Sequence, residues 1–387
     1  VNSTMSGAAG PGANLTALRS HNAALVLRLL RDAGEGGVSR PELAGRTGLT
    51  PQAVSKITAR LRAEGLLAEA GQRASTGGKP PTALRLVPDA RHAIGLQLDR
   101  DEVTAVLVDL AGTSVAARSA PFDFGAPAEN ALAAATAEVR ALLADAAASG
   151  VVGGGTAAGG VAAAGGVVAG GGLLGVGVAA PGPLDHGSGV LHRVTGFPQW
   201  DGFPLRDALA ERLALPVVLD KDTNAAALGL VTAGTAESAA YLHLGTGLGA
   251  GLVLGGAVYR GARTDAGEFG HQVIQLDGPP CDCGNNGCLE ALCLAAVARG
   301  DRKDAARLLG VGATNLVRLL DIDRVLLGGR MVLADPGPYV RGVAAMIAED
   351  SDRASRPPVS VDVVERGERA VVEGAARLVL APLFALG

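Results

Sequence analysis

Apolar residues change their spacing along this chain, and the change divides it. Between about Leu18 and Arg31, Leu25, Val26, Leu29 and Leu30 fall at the spacing of a helix with one buried face. A Gly-rich break at 34–37 ends that helix. Ser39 then precedes Glu42 with Pro41 between them, the pattern of a capping box that opens a second, short helix stopping at Gly48. Thr50 followed by Pro51 predicts the start of a third. In it Ala53, Val54, Ile57 and Leu61 face inward, and Gln52, Ser55, Lys56, Arg60 and Arg62 face out. Two short apolar runs, Leu66–Ala70 and Ala83–Val87, bracket a polar hairpin at 72–81. Three helices with a tight turn between the second and third, then a hairpin, are the order of a winged helix-turn-helix.

From His92 onward strand-like runs take over, at Ala93–Leu98, Val103–Asp109, Leu174–Ala180, Val217–Leu219, Tyr241–Leu244, Leu248–Leu254 and Val325–Leu327. Helical runs such as Ala128–Ala148, Pro204–Leu213 and Thr223–Thr232 separate them. That alternation predicts a two-lobed α/β body with a cleft.

Composition changes this picture in three places. Ala146–Leu184 runs 39 residues without a charge, and mean hydropathy is +0.29, so a membrane span has to be considered. The stretch holds 14 glycines, and a spanning helix needs about 20 mostly apolar residues while each interior Gly costs a helix about 1 kcal/mol. A flexible Gly/Ala insertion at about 146–172, running into a buried strand, is the better reading, and a membrane protein is excluded. Residues 1–14 are mostly Gly, Ala, Ser and Asn without periodicity, which predicts a disordered tail. Charge is uneven: residues 1–90 carry 11 Lys or Arg against 6 Asp or Glu, a net +5, within a chain whose net charge is −4. Such asymmetry points to a nucleic-acid-binding end. No charged-then-apolar leader argues for export, and the four cysteines cluster between Cys281 and Cys293, so reduced thiols and a metal in a cytoplasmic protein are expected.

Candidate chemistry follows from these positions. The third helix would lie in a major groove, where Gln52 suits adenine, Lys56 suits guanine and Ser55 suits a base or a phosphate. Arg60, Arg62, Arg73 and Lys79 suit phosphates. The bland alternative is a basic face that is merely solvated. His271, Cys281, Cys283 and Cys288 make a complete tetrahedral zinc set, closed and therefore structural, with a metal-free thiol cluster as the alternative. Cys293 reads as an ordinary buried residue. Leu244-Gly245-Thr246-Gly247-Leu248-Gly249 offers bare backbone N–H groups to a phosphate, or is only a glycine hairpin. Asp222, Asn224, Glu268, His271 and Glu290 are polar groups suited to sugar hydroxyls, with an Asp able to act as a general base; solvated surface acids are the alternative.

Together the wing-bearing N-terminus, Pro181-Gly182-Pro183, Asp222-Thr223-Asn224, the Leu244–Gly249 loop, Glu268-Phe269-Gly270-His271 and the Cys281–Glu290 segment resemble the ROK family of repressors and sugar kinases. The resemblance runs over nearly the whole chain from about residue 15. It implies a winged helix-turn-helix at 15–88 followed by an actin-like ATPase body, with a small lobe at 92–216 and a zinc-bearing large lobe at 217–387. By likeness Asp222 matches the kinase catalytic base, Glu268, His271 and Glu290 match sugar ligands, and Gly245–Gly249 match a phosphate loop. His271 can serve twice, with one ring nitrogen on zinc and the other on a sugar.

The departures from the family pattern set the expected function. Kinases of the family carry Asp-x-Gly-Gly-Thr where this chain reads Gln97-Leu98-Asp99-Arg100-Asp101, so two acids face a triphosphate and no glycine remains. The Asn expected before Asp222 is Lys221, and the sugar-binding Asn upstream of Trp200 is Gly196. The expectation is therefore a DNA-binding regulator, a repressor without enzymatic activity. It would bind double-stranded operator DNA as a homodimer or homotetramer, carry Zn²⁺, and sense a small carbohydrate or phosphosugar, with Lys221 meeting an anionic group. An ATP-dependent sugar kinase carrying a DNA-binding domain is the alternative.

Overall fold

A computed structural model describes residues 15–72, 82–151, 172–234 and 237–385. The expected tail at 1–14, the wing tip with Arg73 and Lys79, and most of the Gly/Ala insertion lie outside the described residues. Contacts divide the chain into two units, one reaching Ala90 and including Pro382–Ala385, the other spanning Arg91–Ala381.

The first unit comprises α1 (Leu15–Ala33), β1 (Val38–Ser39), α2 (Arg40–Thr47), α3 (Pro51–Ala63), β2 (Leu67–Gln72) and β3 (Thr82–Leu86). Local chemistry sets its turns. Ser39 Oγ accepts from the Glu42 N–H at 3.4 Å while Glu42 Oε2 accepts from the Ser39 N–H at 2.8 Å, a reciprocal capping box. Gly48 closes α2 at φ +70°, a left-handed conformation that favours glycine. Thr50 Oγ1 caps α3 by accepting from the Ala53 N–H at 3.2 Å. The strands pair antiparallel in the order β1-β3-β2 around Val26, Leu30, Leu43, Val54, Leu61 and Leu84. On α1 the buried face runs through Ala23, Val26, Leu27 and Leu30, and Leu25 and Leu29 are only half-buried. Phe384, near the end of the chain, is buried in this unit with the Arg31 guanidinium 4.8 Å from its ring centroid.

The second unit opens with the meander β4 (His92–Leu98), β5 (Glu102–Asp109) and β6 (Ser114–Pro121), then α4 (Ala128–Ala148). There follow β7 (Leu173–Ala180), β8 (Leu184–Asp185), β9 (Val190–Leu191), α5 (Leu205–Leu213), β10 (Val217–Lys221) and α6 (Asp222–Thr232). The remainder is β11 (Ala239–Leu244), β12 (Leu248–Leu254), β13 (Ala257–Tyr259), α7 (Leu289–Ala298), α8 (Arg302–Leu320), β14 (Arg324–Gly328), α9 (Arg330–Leu333), α10 (Pro336–Arg353), β15 (Ser360–Val363) and α11 (Ala370–Leu380).

Two five-stranded sheets result, ordered β10-β7-β4-β5-β6 and β13-β12-β11-β14-β15. β10 pairs parallel with β7, so the strand at which the second lobe was expected to begin completes the first sheet instead, and the chain crosses over at α6. α11 returns to the first sheet, against β4 and β7, and also packs on α6. Backbone meets backbone along these helices. A Cβ on Gly177 of β7 would stand 1.8 Å from the Ala375 carbonyl oxygen, and one on Gly374 would stand 1.9 Å from that of Ala225. Gly177→Ala is therefore expected to destabilise the second unit by about 3 kcal/mol, measured by chemical denaturation, because neither wall is a side chain that can move aside. Among the described residues no helix is long and apolar enough to cross a membrane.

Candidate functional site

In the first unit, Gln52, Ser55, Lys56, Arg60 and Arg62 all stand exposed on α3 while Val54, Thr58 and Leu61 are buried behind them. Thr58 is turned inward by its own bonds, donating to the Val54 carbonyl at 2.9 Å and accepting from Arg40 Nε at 3.2 Å. Two of the expected phosphate contacts already have acidic neighbours. Arg62 is paired with Glu69 of β2, and Arg60 lies 3.6 Å from Glu64 one turn on. Exposed pairs of this kind are worth under about 1 kcal/mol and exchange readily for another anion.

In the second unit, the ends of both sheets enclose a cleft of about 100 Å³, beside a recess of about 530 Å³. Lys221, Asp222, Glu268, His271 and Glu290 all line the cleft. Asn224 does not. It is fully buried on α6, and its amide donates to Asp220 Oδ1 at 2.8 Å, so it braces the end of β10 together with Arg260, whose Nε is 2.7 Å from Asp220 Oδ2.

Each of the other side chains is held by its element. Asp222, the first residue of α6, accepts from the Thr223 N–H at 2.6 Å, and desolvation raises its pKa above the usual carboxylate range against the pull of His243. Lys221 is almost fully buried; its Nζ donates to Glu268 Oε1 at 2.6 Å and to the Ala266 carbonyl at 2.9 Å. Glu290, in the first turn of α7, accepts from the Leu248 N–H at 2.7 Å and so ties that helix to the glycine loop.

Pattern reasoning missed several cleft residues. His243 lines it from the end of β11, with Nδ1 2.9 Å from the Tyr241 hydroxyl. Thr195 and Arg100 line it too, the Arg100 guanidinium lying 5.6 Å from the Phe197 ring centroid. Two contacts join the two sides of the cleft at this end. Thr246 Oγ1 donates to Asp99 Oδ1 at 3.3 Å, and Arg330 makes two bonds of 2.8 Å to the Asp101 carboxylate. The Arg330 guanidinium lowers the pKa of Asp101.

Next to the cleft, the ligand atoms of His271, Cys281, Cys283 and Cys288 all lie within 4.8 Å of one another. Zinc–sulfur bonds of about 2.3 Å in a tetrahedron place sulfurs about 3.8 Å apart. Here Cys283 and Cys288 Sγ are 3.7 Å apart, and Cys281 Sγ is 3.7 Å from His271 Nδ1. The set fits a tetrahedral metal, and it leaves the other ring nitrogen of His271 for the cleft. Gly287 makes the loop possible, since at φ +68° a Cβ would collide with the Gln275 carbonyl. Burial and the neighbouring thiols push the Cys288 thiol up to about 12, so a metal must displace its proton. Cys293 is buried on α7 with its sulfur 3.8 Å from the Ala305 carbonyl, outside this group.

A family model described as the ROK family matches residues 167–299, and one described as winged helix-turn-helix DNA-binding matches residues 24–68. The xylose repressor of Caldicellulosiruptor bescii is 26% identical over a 415-residue alignment that spans 96% of this chain and 98% of that protein. The ROK hexokinase from Thermus thermophilus is 28% identical, with a TM-score of 0.57 over 74% of this chain and 97% of that one. A ROK family transcriptional regulator, a homologue of the E. coli MLC protein, superposes with a TM-score of 0.70 over 95% of this chain and 97% of that one. At 21% identity this last likeness concerns the fold.

Proposed function

The chain belongs to the ROK family and is a DNA-binding transcriptional regulator, and from that premise we propose a cytoplasmic repressor whose kinase-like body senses a small carbohydrate or phosphosugar instead of phosphorylating it. In this reading Gln52, Ser55 and Lys56 meet base edges, and Arg60, Arg62 and Lys79 meet operator phosphates. A homodimer or homotetramer presents two α3 helices to half-sites about one helical turn apart. The effector occupies the cleft against Asp222, Glu268, His271 and Glu290. It prefers one arrangement of the body and draws the protein away from the state that fits the operator. Zn²⁺ on His271, Cys281, Cys283 and Cys288 holds the two ends of the loop that carries Glu268 and Glu290.

The observation that carries the absence of kinase activity is the tie between the two phosphate-side loops. Where the family's kinases use glycines to approach ATP phosphates, Asp99 and Asp101 are bonded to Thr246 and Arg330. A triphosphate would have to break both contacts and face two carboxylates.

One observation favours the kinase alternative. Asp222 sits in the cleft wall with its pKa raised, as suits a general base. The test runs both assays on the full chain. Neutral and phosphorylated sugars are screened for release of operator DNA, and the same mixtures with ATP and Mg²⁺ are assayed for ADP. Release without ADP is the expected result. ADP formation that disappears in Asp222→Asn would establish the kinase reading instead.

A further inference from the structure

The cleft is not closed off from the recess beside it. Val194, Thr195, Glu268 and His271 line both, so the two spaces meet along these side chains. Their sizes are unequal. The cleft offers about 100 Å³, below the ~300–1,000 Å³ usual for a small-molecule site, and the recess offers about 530 Å³. A single sugar ring against Asp222 and Glu290 would leave the larger space unfilled.

Gly196 helps to keep that space open. It lines the recess from the turn after β9, at φ +84°, and a Cβ there would meet nothing within 4 Å. The Asn of the family pattern is missing at this position, and with it a side chain that would take up room. The turn itself is held from behind. Phe197 N–H donates to the Val194 carbonyl at 2.9 Å, and Trp200 Nε1 donates to the Phe124 carbonyl at 2.9 Å.

The lining is chemically mixed. Val194 and Pro198 offer apolar surface, which suits the C–H faces of a sugar ring, while Arg193 and Asp282 bring opposite charges to the same space. Among the described residues no hydrogen bond or ion pair is recorded for the side chain of either. Apolar walls with a few polar groups are the make-up of a small-molecule site. Hydroxyls can donate to the carboxylate and accept from the guanidinium, whereas an ion of either sign would be repelled by one of the two.

On the sensor reading of the cleft, from which this proceeds, we infer that the effector is a disaccharide. One ring lies in the cleft against Asp222 and Glu290. The second, uncharged ring lies in the recess beside Arg193, Gly196 and Asp282, and Glu268 and His271 stand where the two rings join.

The test is calorimetry on the full chain with glucose, xylose and N-acetylglucosamine, and with their dimers cellobiose, maltose, xylobiose and chitobiose. At least one dimer should bind about tenfold or more tightly than its own monomer. Arg193→Ala should remove most of that ratio by deleting a hydroxyl partner. Gly196→Asn should do so by filling the recess, since Asn tolerates left-handed backbone better than most residues. Arg193 is exposed, so its variant reads the recess even where Gly196→Asn disturbs the turn. Asp222→Asn should weaken monomer and dimer alike. Monomers that bind as tightly as each of their dimers, or a ratio that survives both recess variants, would overturn the inference and leave the sensor reading in place. Dimer binding indifferent to Asp222→Asn would overturn it as well, because the ligand would then occupy the recess alone. Failure of every sugar to bind would remove the sensor reading and the inference together.

Discussion

Cys283→Ser should lose its metal and melt about 10 °C lower than the parent chain. Cys283 is the exposed member of the four, yet its sulfur is 3.7 Å from that of Cys288, a spacing that a shared tetrahedral ion would impose. Loss of one thiolate leaves three ligands, and the loop from His271 to Cys288 is then left to turn-type backbone bonds such as Cys281 N–H to the Asn285 carbonyl at 2.8 Å and Gly287 N–H to that of Pro279 at 2.7 Å. Gly284 and Gly287 both take left-handed backbone, and the loop's regular structure amounts to bridges such as Val273 to Cys288 and Pro280 to Asn286. Elemental analysis should find about one zinc per parent chain and much less in the variant. Cys293→Ser is the control, because Cys293 lies outside the group and should keep the metal. Metal should also leave as pH falls, since protons compete for the thiolates. Parent protein purified without any metal would defeat the tetrahedral assignment.

Lys56→Glu should weaken operator binding about 100-fold or more while leaving the melting temperature unchanged. Lys56 is exposed on α3, so reversing its charge disturbs no internal contact recorded among the described residues and adds repulsion where the duplex would lie. Gel shift with a duplex selected by the parent chain measures the loss. The slope of log affinity against log salt should fall by about one if Lys56 meets a phosphate, and should change little if it reads a base edge. Unaltered affinity would mean that α3 is not the recognition helix.

Local signals in the sequence proved the most legible. Ser39 with Glu42, Thr50 with Pro51, and Gly48 at the turn act within a few residues, and each makes the bond its type predicts. The group of His271, Cys281, Cys283 and Cys288 is similar, since its members span a short segment and fold together within 4.8 Å of one another. β6 was missed because its small, half-exposed residues lie at a sheet edge and show little apolar alternation. On α1 two adjacent positions compete for the same face, and packing chose Leu27 over Leu25 and Leu29.

The cleft was only half legible because its meaning lies in long-range pairs. Lys221 looked like a free cation until folding brought Glu268, 47 residues away, onto its nitrogen. Asp101 looked like a bare carboxylate until Arg330, 229 residues away, was found bonded to it. Asn224 shares a motif with Asp222 but stands two residues on along α6, so it points away from the cleft and onto Asp220.

Phe384 bears on how this protein can be taken apart. The natural place to cut is after Ala90, where the contacts of the two units separate, yet the N-terminal unit also claims Pro382–Ala385. A fragment ending at residue 90 would leave Arg31 without the ring it covers and would open a gap where a buried aromatic side chain had been. A change within Pro382–Ala385 therefore alters the DNA-binding unit as directly as a change in its own helices. Expression of that unit alone calls for the terminal segment to be supplied through a linker.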